Sequence, residues 1–313
     1  MATLDRIEKI KRRSMRKDDS ASILTSRTAG EKILFGIIFV VFSLYTLIMM
    51  YPLGFLFLKS LQHLLDFSSK NLWEFGRGID FANYWEAITT LSVLKNSTAT
   101  LAYLPELFIN SIVFCFTRIL LALAGTCCTA YTLSKYKFPG RNFIYGLAIT
   151  CMVIPVVGSQ GSAYKLFSDL YLLDTPWFLL VSSIGSFGFN FLVLYGFFSN
   201  ISWSYAEAVF IDGGGHFTVF LKIMLPQASV AMVTLGILAF IGNWNDYMTV
   251  LMYMPSYPTL ASGLYNIGQS SEGQADRPKY YAALVISTVP VLIVFASFSD
   301  IIMKNFSVGG LKG

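Results

Sequence analysis

Long apolar runs constrain this chain more than any other feature of its sequence. A helix needs about 20 mostly apolar residues to cross the hydrocarbon core of a membrane. Only 13% of the 313 residues are charged and 55% are hydrophobic, whereas a soluble domain carries about 25% charged residues. We therefore expect an all-α integral membrane protein with six transmembrane helices, at 33–58, 107–133, 143–157, 177–198, 228–254 and 281–303.

The distribution of basic residues predicts the orientation of these spans. If the N-terminus is cytoplasmic, the segments on that side hold 15 of the 23 Lys and Arg residues and the opposite loops hold 7. Cytoplasmic loops are the ones enriched in Lys and Arg, so both termini are expected inside. The chain then divides into a basic N-terminal segment 1–32, a transmembrane domain 33–303 and a cytoplasmic tail 304–313.

The most informative segment is the predicted cytoplasmic loop 203–226, which we call the coupling loop. Ser204 and Glu207 have the spacing of a capping box, which predicts a helix beginning at Ser204. Three glycines at 213–215 predict its end, because glycine adopts the backbone angles of a sharp turn. A second helix is expected to follow, up to a bend at Pro226.

Helical spacing places four residues on one side of the first of these two helices: Ala206, Val209, Phe210 and Gly213. The result is a short helical hairpin with a partly apolar face in the cytoplasm. Because such a face in water usually marks an interaction site, we expect a partner protein to cover it.

The coupling loop also carries a spaced pattern that reads Glu-Ala-(Ala), three residues, Gly, nine residues, Ile-x-Leu-Pro. The matching residues are Glu207, Ala208, Val209, Gly213, Ile223, Leu225 and Pro226. In this pattern the sequence resembles the permease subunits of binding-protein-dependent ABC importers. The one departure from the pattern is Val209 in place of the second alanine.

Other segments resemble the carbohydrate-type subfamily, that of the smaller maltose permease subunit. They lie at 130–141, 173–177, 240–246 and 309–313. Two features depart from the subfamily. The N-terminal 32 residues are long, and the outer loop 59–106 looks extended near 91–103.

The resemblance implies a type I ABC importer permease fold and a role in the ATP-driven uptake of a sugar, most simply an oligosaccharide. In such importers two permease subunits sit on two ATP-binding subunits, and an extracytoplasmic solute-binding protein delivers the substrate. The chain would lie among the lipids of a bacterial plasma membrane. It would hold no cofactor of its own, because ATP and Mg are bound by the partner ATPase.

The resemblance also implies which residues meet the ATPase. The helix 204–213 would dock into a groove on one ATPase, with Glu207 at the groove, Ala208 in close approach and Gly213 at the turn. Asp212 is expected to bond backbone groups near that turn. The C-terminal tail would reach between the ATPase subunits, which makes contact candidates of Gly309, Gly310 and Lys312.

Polar residues inside the predicted spans are candidates for function, because burying them in lipid is costly. Asn243, Trp244 and Asn245 combine an aromatic face with amides, which suits sugar rings and hydroxyls. The resemblance nevertheless places the in-membrane sugar site mainly in the other permease subunit. Arg118 and Asp300 are expected to form pairs within the subunit interface rather than to contact substrate.

Two other classes of membrane protein remain as alternatives. A secondary transporter or channel would need a coupling-ion site or an inverted repeat, and the sequence displays neither. An intramembrane enzyme would need a nucleophile with a base, or clustered metal ligands, but the only two histidines lie outside the predicted spans. We therefore expect no catalytic residues and no metal site.

The basic run 9–17 lacks interleaved aromatic residues, so we expect no nucleic-acid partner.

Overall fold

The computed structural model describes residues 29–69, 78–96, 99–154, 158–185 and 187–308. The chain divides into two compact units, 1–56 and 57–313. The described helices, in chain order, are α1 Ala29–Ser60, α2 Leu64–Ser69, α3 Ala82–Thr90, α4 Leu104–Lys135, α5 Arg141–Val153, α6 Ser159–Asp169, α7 Pro176–Ser183, α8 Phe189–Asn200, α9 Ser204–Ile211, α10 His216–Thr218, α11 Leu225–Trp244, α12 Tyr247–Tyr253, α13 Leu260–Gln269, α14 Ser271–Ala275 and α15 Arg277–Val308. A π-helical turn, Val219–Met224, joins α10 to α11, and two short strands are β1 Ser92–Leu94 and β2 Leu101–Tyr103.

Four described helices are long and apolar enough to cross a membrane: Gly30–Ser60, Leu104–Lys135, His216–Trp244 and Arg277–Ser299. They correspond to the first, second, fifth and sixth predicted spans. The last helix continues to Val308, so it includes the first residues of the segment 304–313. Its side chains from residue 300 onward lie outside the described structure, and so does the tail segment 309–313.

The fourth predicted span, 177–198, is divided between α7 and α8, so the expectation of a single helix there is wrong. In the third predicted span, 143–157, α5 is the described helix, and residues 155–157 lie outside the described residues. The third run ends with α5 at Val153, and α6 begins only at Ser159. The fourth run breaks between α7 and α8, where the Thr126 hydroxyl donates a hydrogen bond of 3.0 Å to the carbonyl of Gly185. A break at membrane depth requires such a partner, because an unsatisfied backbone group in lipid is costly.

The unit 57–313 has two hydrophobic cores, both built on α4. The first core packs the early part of α4 against α7, α12, α13 and α15. The second core packs the later part of α4 against α8, α11 and the coupling loop. Three phenylalanines are the largest fully buried side chains: Phe178 in the first core, and Phe191 and Phe198 in the second. The helix α4 therefore links the two ends of the unit.

The outer loop contains a β-hairpin in the segment 91–103. The strands β1 and β2 pair antiparallel, with Val93 opposite Ala102 and Leu94 opposite Leu101. Val93 and Ala102 are buried in the first core, whereas Leu94 and Leu101 are exposed, as the alternation of side chains along a strand requires. The extension relative to the subfamily is thus an ordered hairpin seated on the first core.

Candidate functional site: the coupling loop and the span residues

The first helix of the coupling loop, α9, begins as predicted at Ser204 but without the predicted capping box. No side-chain bond caps this end. The carbonyl of Trp203 instead accepts hydrogen bonds from the backbone N–H groups of Ala206 and Glu207, at 2.8 and 3.2 Å. The Ser204 hydroxyl pairs with the Ser202 hydroxyl at 2.8 Å. The Glu207 side chain is therefore not used to close its own helix, and it is exposed.

The glycines end α9 as predicted, and two of them are required by the geometry. Gly213 has φ +81°, a left-handed conformation that favours glycine. The N–H of Gly213 donates to the carbonyl of Phe210 at 3.1 Å, and the N–H of Gly214 donates to the carbonyl of Val209 at 2.8 Å. These two bonds form a Schellman motif. A Cβ atom on Gly214 would lie 2.5 Å from Val209 Cγ1, so the valine that replaces the family's alanine packs tightly against this glycine.

The two sides of α9 differ sharply in exposure. Ala206 is fully buried in the second core, and Val209 and Phe210 are half-buried beside it. The prediction that this side faces water for a partner to cover is therefore wrong, because the chain's own core covers it. Gly213, expected on the same side, is exposed. Ala208 and Asp212 are exposed together with Glu207, and Ile211 is 86% exposed. Phe217, in α10, is also exposed. The sequence reasoning missed Ile211 and Phe217, although the spacing of Glu207, Ala208 and Ile211 places them on one side opposite Ala206.

An aromatic cluster joins the coupling loop to the end of α4. It comprises Tyr131, Tyr136, Trp203, Phe210 and His216. The Tyr136 hydroxyl lies 2.9 Å from His216 Nδ1 and 3.2 Å from the Tyr131 hydroxyl. Ring centroids are 5.8 Å apart for Tyr136 and Trp203 and 4.8 Å apart for Phe210 and His216. These residues are far apart in sequence, so no local pattern could have predicted the cluster.

The second helix of the coupling loop is continuous with the fifth span rather than ending at Pro226. The π turn precedes the proline, and the N–H of Leu225 bonds to the carbonyl of Phe220. Proline clashes with the carbonyl four residues before it, and the wider π turn relieves that clash. Ile223 and Leu225 are half-buried and Pro226 is exposed.

The three path candidates point in different directions. Trp244 is 4% exposed, and its Nε1 donates a 3.0 Å hydrogen bond to the carbonyl of Ser287. Its ring packs on Phe108 and Phe240. Asn245 is exposed and Asn243 is half-buried. The structure therefore separates the aromatic face from the amides, and the path role of these three residues stays a prediction.

The fifth predicted span, 228–254, is interrupted at Asn245 and Asp246, so its prediction as one helix is wrong. Asp246 Oδ1 accepts from the N–H of Thr249 at 3.0 Å and caps α12. Asp246 Oδ2 accepts from Arg118 Nη1 at 2.7 Å, and the Arg118 guanidinium lies 5.0 Å from the Phe114 ring centre. Arg118 thus finds an acidic partner within its own chain.

Four other predicted site residues lie outside the described structure. The side chain of Asp300 is outside it, and the tail residues are outside it altogether: Gly309, Gly310 and Lys312.

In the part of the chain that the structure describes, no group of three or more His, Cys, Asp or Glu side chains is placed to hold a metal ion.

The family described as the inner membrane component of binding-protein-dependent transport systems matches residues 122–308. This match covers more than half of the chain. The chain belongs to this family. It is therefore a permease subunit, a membrane component and not an enzyme, and it resides in the inner membrane.

Individual relatives agree with this assignment. The diacetylchitobiose uptake system permease protein NgcG of Streptomyces coelicolor is 28% identical over 250 residues, which is 79% of this chain and 77% of that protein. The melibiose/raffinose/stachyose import permease protein MelC of Bacillus subtilis is 26% identical over 84% of this chain and 91% of its own. A bacterial ABC transporter involved in the import of the acidic polysaccharide alginate superposes with a TM-score of 0.74 over 88% of this chain and 98% of that chain. At 21% identity, that superposition establishes a shared fold.

Proposed function

We propose that the chain is one of two permease subunits of an ATP-driven importer for sugars, most simply oligosaccharides. It forms the translocation path with a second permease, receives substrate from an extracytoplasmic solute-binding protein, and is driven by two ATP-binding subunits that bind ATP and Mg. The names of the relatives support the substrate class, because NgcG, MelC and the maltodextrin permease protein MdxG of Bacillus subtilis are all named for oligosaccharide transport.

Contacts at the two ends of α4 support six crossings. Near its beginning, the Asn110 amide donates a hydrogen bond to the carbonyl of Pro258. Two residues earlier, the N–H of Ser256 donates to the carboxylate of Asp174. Just past its end, Tyr136 contacts His216. Asn110 and Tyr136 are separated by 26 positions along this helix, so the two contacts lie about 39 Å apart.

The segments between these contacts must therefore travel from one end to the other. The chain runs from Tyr136 out to Asp174, and it returns from Asp174 to Ile201, whose carbonyl accepts from Lys135 Nζ at 2.5 Å. Each passage uses a pair of short helices, α5 with α6 and α7 with α8. Together with the four long helices this supports six spans, and the distribution of Lys and Arg supports cytoplasmic termini.

The coupling loop is the surface that meets the ATPase in this proposal. The exposed side of α9, with Glu207, Ala208, Ile211 and Asp212, enters the ATPase groove. The observation that carries this assignment is the 86% exposure of Ile211 at the end of a helix that a Schellman motif closes. Val209 and Gly213 shape that end, while Ile223, Leu225 and Pro226 lead into the fifth span.

The aromatic cluster gives the coupling loop a stiff connection to the membrane helices. Because these rings pack closely, a displacement of α9 passes to α4, and from Tyr131 it passes to Phe198 of α8, whose ring centroid lies 5.6 Å away. The tail residues Gly309, Gly310 and Lys312 complete the ATPase contact. We keep the division into segment 1–32, membrane domain 33–303 and tail 304–313 as a proposal, with the described helices beginning at Ala29 and reaching Val308.

Gentle detergent purification of the tagged chain, with mass spectrometry of what accompanies it, tests this function. We expect a second polytopic permease and an ATPase. Ile211→Glu should remove the ATPase, because a carboxylate would have to be buried in the groove. Ile79→Glu, the same change at an exposed isoleucine of the outer loop, should not. If the wild-type chain purifies without an ATPase, the proposal fails and a secondary transporter or channel becomes the better description.

A further inference from the structure

An open cavity of about 440 Å³ lies between the end of α4 and the start of α5. This is the end of α4 that contacts the coupling loop. The cavity combines two basic side chains with an amide and two aromatic rings, and its lining residues are Lys137, Phe138, Gly140, Arg141, Asn142 and Phe143. The turn that forms it belongs to the segment 130–141, which the coupling role leaves without a use.

Arg141 is held in a fixed position at this cavity. Its Nε donates a 2.7 Å hydrogen bond to the carbonyl of Leu133 in α4, and its Nη2 donates to the Tyr195 hydroxyl of α8 at 3.2 Å. The side chain is half-buried. These two bonds orient the guanidinium and leave its other N–H groups for a ligand. A group preorganised in this way loses little entropy on binding.

The positive charge of the cavity is not neutralised by the chain. Lys137 is exposed, and among the described residues neither Lys137 nor Arg141 forms an ion pair with a carboxylate. By contrast, three other basic residues each pair with an acidic one: Lys95, Arg118 and Lys279. An ammonium and a guanidinium beside one cavity attract an anion, and the guanidinium fork matches the oxygens of a phosphate.

The cavity lies at the depth of the lipid headgroups. The 32 residues of α4 extend about 48 Å, whereas the hydrocarbon core is about 30 Å thick, so the ends of α4 reach the headgroup layers. Beside the cavity, α5 presents apolar side chains. Phe143 is 76% exposed, and Leu147, one turn further along, is 47% exposed. A free phosphate would leave this apolar side without a contact, whereas a phospholipid would cover it.

We propose that this cavity binds the headgroup of an anionic phospholipid. Arg141 and Lys137 bind the phosphate group. Phe143 and Leu147 contact an acyl chain. In the proposed orientation this lipid belongs to the cytoplasmic leaflet. Tyr136, the residue before Lys137, is part of the aromatic cluster, so the bound lipid lies next to the coupling loop.

A lipid titration of the full chain, purified in a neutral detergent with the subunits that accompany it, tests this inference. Phosphatidylglycerol and phosphatidylcholine are added in turn, and native mass spectrometry counts the lipid molecules that stay bound. We expect one phosphatidylglycerol to bind more tightly than phosphatidylcholine does. Lys137→Gln and Arg141→Gln should each weaken this binding about fivefold, because each removes one basic side chain near an anionic headgroup.

Matched variants and a soluble competitor define the site. Lys222→Gln removes an exposed lysine of the coupling loop that does not line the cavity, so it should bind phosphatidylglycerol like the wild type. Phe143→Ser should weaken the binding, since the acyl-chain contact is lost. Glycerol 1-phosphate has the charge without acyl chains and should not displace the lipid. If Arg141→Gln fails to fold, Lys137→Gln decides alone, because the described residues offer its side chain no bond to lose.

Four results would overturn the inference. Equal binding of the two lipids would show that the cavity does not select an anion. An equal loss in Lys222→Gln would attribute the binding to the general charge of this end. Displacement by glycerol 1-phosphate would make free phosphates the ligand. If Lys137→Gln removed the ATPase and left lipid binding unchanged, the cavity would be a protein contact. A chain that purifies without an ATPase contradicts the proposed function and leaves this lipid test intact.

Discussion

At the scale of single residues, the turn that closes α9 depends on the fit between Gly214 and Val209. Gly214→Ala would place a methyl group 2.5 Å from Val209 Cγ1 and 3.1 Å from the Val209 carbonyl oxygen. We expect the hairpin to lose about 1–2 kcal/mol of local stability, as overpacked sites do. Hydrogen–deuterium exchange of the coupling loop should accelerate by about tenfold.

Two further variants locate the cause in this contact. Gly215→Ala adds a methyl group at φ −96° with no atom within 4 Å, so its exchange should match the wild type. Adding Val209→Ala to Gly214→Ala should recover most of the protection, because the methyl group that clashes is gone. If Gly215→Ala accelerated exchange as much as Gly214→Ala does, the cause would be the loss of a flexible glycine and not the contact with Val209.

The pair of Arg118 and Asp246 is the second residue-scale prediction. Both side chains are about one-quarter exposed, so removing one charge leaves the other partly buried without its counterion. Arg118→Met should lower the stability of the purified subunit by about 1–3 kcal/mol. Asp246→Asn retains an oxygen for the cap on Thr249 and removes only the charge.

The double variant Arg118→Met with Asp246→Asn should lose less unfolding free energy than the two single variants lose together. In the double variant neither charge is left without its partner. Thermal unfolding in detergent measures all three. Strictly additive losses would mean that the two side chains act independently despite the 2.7 Å contact.

At the scale of elements, Asp174 joins the loop before α7 to the corner after α12. Its carboxylate accepts hydrogen bonds from the N–H and the hydroxyl of Ser256, at 2.8 and 2.5 Å, and its own N–H donates to the carbonyl of Tyr253 at 2.7 Å. Its φ of +57° suits Asp and Asn better than Ala. Asp174→Ala should therefore cost about 2 kcal/mol and expose the corner 254–259 to proteases.

Asp174→Asn is the matched control, because its amide oxygen can still accept from the N–H of Ser256 and asparagine tolerates the same backbone angle. Its loss should be less than half that of the alanine variant in thermal unfolding. If the two variants lose the same stability, the charge of Asp174 stabilises the segment 254–259, and its acceptor oxygen and backbone angle do not.

Some of the helices could be predicted from the sequence, whereas the breaks between them could not. The long helices α4 and α15 and the glycine turn of the coupling loop were predictable, because hydropathy and the φ of glycine are local properties. The breaks in the fourth and fifth runs were not. They depend on Thr126 reaching Gly185 and on Arg118 reaching Asp246, contacts that only the folded chain makes. The predicted capping box of α9 is absent for a related reason. The N–H groups of Ala206 and Glu207 bond to the Trp203 carbonyl instead.

At the scale of the whole molecule, the number of spans decides where the segment 158–175 lies. If only the four long helices crossed the membrane, this segment would be cytoplasmic. Asp174 nevertheless contacts Ser256 and Tyr253, which follow the long helix that ends at Trp244. If the N-terminus is cytoplasmic, these two residues lie outside in either topology. Two contacting segments in water lie on the same side of the membrane, so our proposal of six crossings predicts that residue 165 lies outside.

A cysteine-labelling experiment tests this placement. The four native cysteines are replaced, and Lys165→Cys, at an exposed position of α6, is treated in intact cells with a membrane-impermeant maleimide. We expect labelling equal to that of Gln269→Cys, the outer control. Asn142→Cys, the inner control, should react only after permeabilisation. If Lys165→Cys behaves like the inner control, α5 to α8 do not cross the membrane as two spans, and the six-span fold is wrong for this subunit.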